Sequence, residues 1–194
     1  MRLFFYNLTK RLIDIVLVLI SLPFVLPVCL VIAILIKWES PGPAFFWSTR
    51  IGQHRRPFPM AKFRSMISSA PLVEAEKCPE AQHFITPLGA FLRKTSLDEL
   101  PQLWSVLIGD MSLIGPRPVL PIVKKVIKLR HEAGVDKLKP GISGWAQING
   151  RTTITDEEKV SLDIEYMNRR STWFDIKIIF LTIIKVLRRD NIVR

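Results

Sequence analysis

The sequence predicts a mainly helical α+β chain with one membrane-inserted helix, a small β-hairpin and amphipathic helices at a membrane surface. Three observations predict it. Residues Ile15–Ile36 form a run of 22 residues without a charge, long enough at ~1.5 Å per residue to enter a hydrocarbon core roughly 30 Å thick. Two aromatic-rich stretches flank the basic segment Ile51-Gly52-Gln53-His54-Arg55-Arg56, the pattern of a hairpin with a longer loop. Beyond them, short segments of helical periodicity alternate with Gly- and Pro-punctuated loops. A single domain accounts for residues 1–194, with residues 12–37 as the membrane helix and 38–194 on one face of the bilayer.

The apolar run exceeds a signal-peptide core of roughly 7–15 residues, and no small-residue cleavage pattern follows it. Its middle reads "SLPFVLP". Pro23 and Pro27 each remove an amide donor, at a cost of about 3 kcal/mol in a helix interior. Carbonyls freed in lipid need local partners, and the Ser21 hydroxyl can supply one. Ser21 and Pro23 therefore mark the expected break. Both flanks are basic: Lys10 and Arg11 precede the run, and Lys37, Arg50, Arg55 and Arg56 follow it. Lys and Arg favour the cytoplasmic side. A straight span puts one flank on the wrong side, whereas a re-entrant helix keeps both on one face and is the expected form; a kinked helix that crosses the bilayer is the alternative. Asp14, at the mouth of the run, is expected to pair with Lys10 or Arg11 one turn back.

The hairpin is expected within Glu39 to Met66, after the turn-rich Ser-Pro-Gly-Pro. Ile67 to Thr86 has no clear period and reads as loop or short helical pieces. Pro87 to Thr95 reads as a helix that starts on its proline, and Asp98 to Ile108 as the next. "GDMSLIGPRP" reads as loop, Ile122 to Glu132 as helix, and "KPGISGWAQINGR" again as loop. Asp156 to Arg169 is a charged helix. Phe174 to Arg189 closes the chain. Apolar residues dominate it, Asp175, Thr182, Lys185 and Arg189 share one narrow face, and its aromatic head and basic end suit a membrane interface, with ordinary core packing as the alternative.

The charge balance narrows the function. Lys and Arg number 28 against 17 Asp and Glu, a net +11, in a chain that is 48% hydrophobic. Mean hydropathy is +0.24. Such a charge suits nucleic acid or an anionic membrane. The hydrocarbon surplus favours the membrane, and no nucleic-acid partner is expected. Cys29 and Cys78 form no CxxC or Cys/His cluster, so a zinc site or disulfide framework is unsupported. There is no GxxxxGK[ST] and no GxGxxG.

In this basic chain the stretch "TSLDELPQL" sets two carboxylates, Asp98 and Glu99, side by side. Ser96-x-x-Glu99 matches a capping box. Pro101 conflicts with that, because it would lie beyond the first turn where proline is tolerated. A helix starting near Asp98 puts Pro101 in the first turn and Asp98 at the positive end of the helix dipole. There it would stay ionised, as a carboxylate nucleophile or Mg²⁺ ligand requires. Lys62, Arg64, Arg93, Arg117 and Arg151 are spread along the chain, several of them in Gly/Pro loops. Pro116 and Pro118 pin Arg117 from both sides. Arginine offers paired donors to phosphate oxygens. The lysines around Lys124, Lys125 and Lys128 read instead as a solvated face. Membrane, arginines and an acidic pair together point to phosphoryl chemistry at a bilayer. A non-catalytic protein that binds anionic lipid is the alternative.

"KRLIDIVLVLISLPFVLP", "KFRSM", "LRKTSLDELPQLWSVLIGDMSLIGPRP", "KPGISGWAQINGR" and "LDIEYM…WFDIKIIFLTIIKVL", in this order, resemble the bacterial sugar transferases, the monotopic polyprenyl-phosphate phosphoglycosyl transferases. The resemblance covers about residues 8–190. It implies the minimal form, without further N-terminal membrane helices, on the cytoplasmic face of the bacterial inner membrane. It implies transfer of a sugar 1-phosphate, N-acetylated by expectation, from a UDP-sugar to undecaprenyl phosphate, with release of UMP. It places the family's Asp-Glu dyad on Asp98 and Glu99, with Asp98 attacking the β-phosphate and Glu99 serving the second displacement. It places the family's Lys-Phe-(Lys/Arg) on Lys62 and Arg64, its proline-flanked arginine on Arg117, and its helix break on Ser21 and Pro23. Mg²⁺, with Asp98 as ligand, is the implied cofactor, and a homodimer is compatible with the family. Pro27 is an additional proline in the membrane run.

Overall fold

A computed structural model of the chain describes residues 2–67, 70, 83–150 and 154–188. Most of the Ile67–Thr86 stretch, with Cys78, lies outside the described residues, as do Arg151 and Arg189.

The N-terminal helix α1 (Arg2–Glu39) runs for 38 residues without interruption. The expected break does not divide it, and both Pro23 and Pro27 lie inside the helix. The Ser21 hydroxyl donates to the Val18 carbonyl at 2.7 Å. That is the neighbour of the Leu19 carbonyl, which faces the missing amide of Pro23. Only 11% of the most apolar stretch of α1 is buried, so it is no core helix. A stripe at intervals of three or four residues touches the rest of the chain, through Asp14, Val18, Leu22, Cys29, Ile32 and Ile36. Leu19, Ile20, Phe24, Leu26, Leu30 and Val31 point outward.

Each half of α1 is fixed to the same body. Val18 and Leu22 join one core cluster with Phe58, Met60, Val106 and Met111. Ile32 and Ile36 join another with Ala44, Phe63 and Leu92. The polar residues at the mouth of α1 reach the body too, rather than one another. Asp14 accepts from the Ser112 hydroxyl at 2.7 Å and the Leu113 amide at 3.2 Å. Lys10 binds Asp175 at 2.9 Å. Arg11 donates to the carbonyls of Val106 and Leu107, at 2.5 and 2.7 Å. The expected pairing of Asp14 with Lys10 or Arg11 is therefore not made.

Strands β1 (Phe45–Ile51) and β2 (Pro57–Phe63) form the expected antiparallel hairpin, with Phe45 opposite Phe63 and Ile51 opposite Pro57. Next come α2 (Pro87–Thr95) and α3 (Gln102–Ile108). Strand β3 (Ser112–Ile114) precedes α4 (Lys124–Glu132), and β4 (Gly141–Ser143) follows it. Helices α5 (Trp145–Asn149), α6 (Asp156–Arg169) and α7 (Thr172–Arg188) complete the chain. Both segments expected as loop thus hold a strand, and β3 and β4 pair in parallel. Three glycines make that contact possible. A Cβ on Gly141 would lie 2.1 Å from the Gly115 nitrogen, and one on Gly144 would lie 2.1 Å from the Gly115 oxygen. No side chain fits between backbones that close. The close approach fixes the segment that leads into Pro116-Arg117-Pro118.

Helix α7 turns its polar line inward, opposite to a soluble surface helix. Asp175 accepts from the hydroxyls of Tyr6 and Tyr166, at 2.9 and 2.8 Å. Thr182 bonds Ser143 at 2.7 Å. Trp173, Ile176, Phe180 and Ile183 face outward.

Candidate active site

The Thr86 hydroxyl caps α2 by accepting from the Gly89 amide at 2.9 Å. The helix ends at Ser96, which adopts a left-handed conformation (φ +57°). A single tight turn, Leu97–Glu99, follows, and α3 begins three residues later. Pro101 sits just ahead of α3, where its missing amide costs no helical bond. The expected helix start at Asp98 is corrected accordingly. The capping box is absent as well, because a left-handed Ser96 lacks the extended backbone of a cap and its side chain makes no capping bond.

The Glu99 carboxylate is used elsewhere. Lys62, on β2, donates to its Oε1 at 2.7 Å. Arg117 donates to the same oxygen at 2.7 Å and to Oε2 at 3.5 Å. Burial works against the charged form here, but Arg117 and Lys62 outweigh it and hold the carboxyl far below its ordinary range. Asp98 differs. It is 7% exposed, and its nearest cation is Lys62 at 3.7 Å. Burial pushes its pKa up, Lys62 opposes that, and the neighbouring Glu99 adds to it. The helix dipole expected to keep Asp98 ionised is displaced by three residues. The nearby charges of Lys62, Arg117 and Arg93 act in its place.

Four of the five basic residues expected at the site can be placed. Lys62 and Arg117 meet the acidic pair. Arg93, in the last turn of α2, binds the Ser65 hydroxyl at 2.8 Å and lies near enough to act on Asp98. Arg64 points away and is buried. It donates to the Pro41 and Ser40 carbonyls, at 2.8 and 2.7 Å, so it closes the C-terminal end of α1. Arg151 lies outside the described residues. Ser21 and Pro23 belong to the exposed part of α1.

Two residues at the edge of the site escaped the sequence reading. Arg130 on α4 and Asp163 on α6 are 8% and 1% exposed and bond each other at 2.9 and 2.6 Å. Arg130 also donates to the Arg117 carbonyl at 2.8 Å. The pattern did hold a signal. Arg130 lies four residues after Val126, on the apolar side of α4 away from its lysines. Asp163 lies three residues from both Val160 and Tyr166, on the buried side of α6.

A buried carboxylate beside a neutralised one, with Lys62, Arg93 and Arg117 around them, is an arrangement suited to phosphate ligands. The chain belongs to the bacterial sugar transferase family, whose profile matches residues 5–189. It is 44% identical to the UDP-glucose:undecaprenyl-phosphate glucose-1-phosphate transferase of Escherichia coli K12, over 92% of this chain and 40% of that one. It is 38% identical to a UDP-N-acetylgalactosamine-undecaprenyl-phosphate N-acetylgalactosaminephosphotransferase of Aeromonas hydrophila, over 94% of this chain and 44% of that one. It is 39% identical to the uncharacterized sugar transferase EpsL of Bacillus subtilis, over 94% and 89% respectively. The chain thus spans less than half the length of the first two.

The unequal carboxylates make opposite contributions to stability. Glu99, with its pKa lowered, stabilises the fold above the unfolded value, and this is lost as pH falls through the folded value. Asp98, with its pKa raised, lowers stability as pH rises past the unfolded value. At pH 7, Asp98→Asn is expected to melt at or above the wild-type temperature. Glu99→Gln, which strips charge from two cation contacts, is expected to lose about 2 kcal/mol. Thermal unfolding of both variants in one detergent checks this, and the reverse order would refute it.

Proposed function

We propose that the chain transfers a sugar 1-phosphate from a UDP-sugar to undecaprenyl phosphate, releasing UMP, through a covalent intermediate on Asp98. The division of the acidic pair carries this reading: Glu99 is held by Lys62 and Arg117, while Asp98, among the described residues, has Lys62 at 3.7 Å as its nearest cation and makes no short hydrogen bond. An Asp98 oxygen attacks the sugar-bearing phosphorus. The bond from that phosphorus to the bridging oxygen breaks, and UMP leaves with the electron pair. An oxygen of the lipid phosphate then attacks the same phosphorus and frees the Asp98 carboxylate. Two steps let one polyanion leave before the next attacks. Lys62, Arg93 and Arg117 offset the phosphate charge in both. Glu99 holds Lys62 and Arg117 in place and serves the second displacement.

Among the described residues no three Asp, Glu, His or Cys side chains gather into a cation cage. The donor set nevertheless fits Mg²⁺, which commonly takes one or two carboxylates and completes its shell with phosphate oxygens and water. Asp98 would supply that carboxylate, and the ion would offset charge on the diphosphate.

The membrane placement extends the same reading. α1 enters and leaves a cytoplasmic bilayer face without crossing it. The support is that both halves of α1 pack on one body while its outer face is hydrocarbon. Single cysteines replacing Leu3 and Trp38, in a chain with its native cysteines changed to serine, are expected to react with an impermeant maleimide from the same side of sealed vesicles. Labelling from opposite sides would establish a span instead.

The relatives' names divide between glucose and N-acetylgalactosamine, so UDP-glucose stands beside the N-acetylated sugars, our expected substrates, in the decisive panel. Purified chain, undecaprenyl phosphate and Mg²⁺ are mixed with each UDP-sugar, and UMP is measured across pH. At least one sugar is expected to release UMP, with an acid limb above the ordinary aspartate range near ~4. Asp98→Asn is expected to abolish release. No UMP from any sugar would leave a lipid-binding protein without chemistry, and full turnover by Asp98→Asn would rule out an intermediate on Asp98.

A further inference from the structure

We infer that Arg130 and Asp163 are positioning residues that aim Arg117 at the reacting phosphate. The inference rests on the transferase reading above. Three contacts hold the Arg117 segment. The Gly141 amide donates to the Pro116 carbonyl at 3.0 Å. Arg130 Nη1 donates to the Arg117 carbonyl at 2.8 Å. The Arg117 guanidinium reaches Glu99. The flanking prolines remove two amide donors, and Pro118 biases Arg117 away from helical backbone. With so few donors in this stretch, the Arg117 carbonyl depends on a side chain for its partner, and Arg130 supplies it.

Asp163 makes that possible. A buried guanidinium without a counter-charge is costly, and Asp163 accepts from both Nε and Nη2 of Arg130. This side-on grip, through the single oxygen Oδ2, leaves Nη1 for the Arg117 carbonyl. Buried ion pairs are poor sources of net stability, since apolar residues of similar volume often replace them without loss. The third bond, to a residue of the acidic-pair cluster, is what a simple strut between α4 and α6 does not require. Neither Arg130 nor Asp163 is exposed enough to touch substrate, whereas 39% of the Arg117 side chain is exposed. Their effect therefore runs through Arg117.

A double-mutant cycle separates positioning from fold maintenance. Arg130→Lys keeps a cation for Asp163, but one ammonium cannot reproduce both the paired grip and the bond to Arg117. Asp163→Asn keeps the shape and removes the charge. Each is made alone and with Arg117→Lys, and UMP release is measured with the UDP-sugar that the wild type turns over. Each single variant is expected to lose about ten-fold in turnover, and the loss is expected to shrink to less than two-fold when Arg117 is already lysine. A mere loss of folded enzyme would multiply through the cycle unchanged. Independent effects, wild-type turnover in both single variants, or failure of both to fold would overturn the inference. An inactive wild type would overturn it together with the transferase reading, whereas an active wild type with an additive cycle would overturn the inference alone.

Discussion

The site depends on one carboxylate shared between two cations. Glu99 joins Lys62 of the hairpin to Arg117 of the β3–α4 segment, parts of the chain 55 residues apart in sequence (117 less 62). Without that charge, two cations would face each other across a half-buried gap. With it, both are fixed within reach of Asp98, whose own carboxylate is left poorly satisfied. The neighbours in the pair divide the work, and one holds the cations that the other needs. Burial raises the pKa of Asp98, a stability cost of the kind that reacting carboxylates carry.

The membrane helix is part of the same construction. Arg11 meets the last carbonyls of α3, the helix that follows the acidic pair. Asp14 holds β3, the strand that leads to Arg117. Arg64, one residue beyond the strand that carries Lys62, closes the far end of α1. Every element at the site is thus bonded to α1 directly or at one remove. On the last helix, α7, the polar residues satisfy Tyr6, Lys10 and Tyr166 internally, which leaves an apolar outer face. Polar groups turned inward and hydrocarbon turned outward on these two helices support the proposed placement against a bilayer.

Much of this was legible in the sequence because it is local. Helix α2 was marked by Pro87, α6 by its run of charged residues, and the hairpin by aromatic strands around a basic turn. Features set by distant contacts were not legible. Strands of three residues have no readable period, and β3 and β4 exist because glycines at 115, 141 and 144 let two backbones touch. Arg64 and Arg117 look equally suited to phosphate in sequence. Only the fold shows that one caps a helix while the other meets Glu99. The capping-box pattern at Ser96 failed because the end of α2 claims that residue first.

The central claim is that Asp98 itself becomes bonded to the phosphosugar. Its most direct test is the intact mass of the protein after exposure to a UDP-sugar it turns over and Mg²⁺, with no lipid phosphate present. The account predicts a mass increase of one sugar phosphate, mapped to the peptide that contains Asp98, together with UMP released in an amount no greater than the enzyme. An unmodified protein that releases UMP only once undecaprenyl phosphate is added would mean direct transfer between the two substrates, and would contradict it.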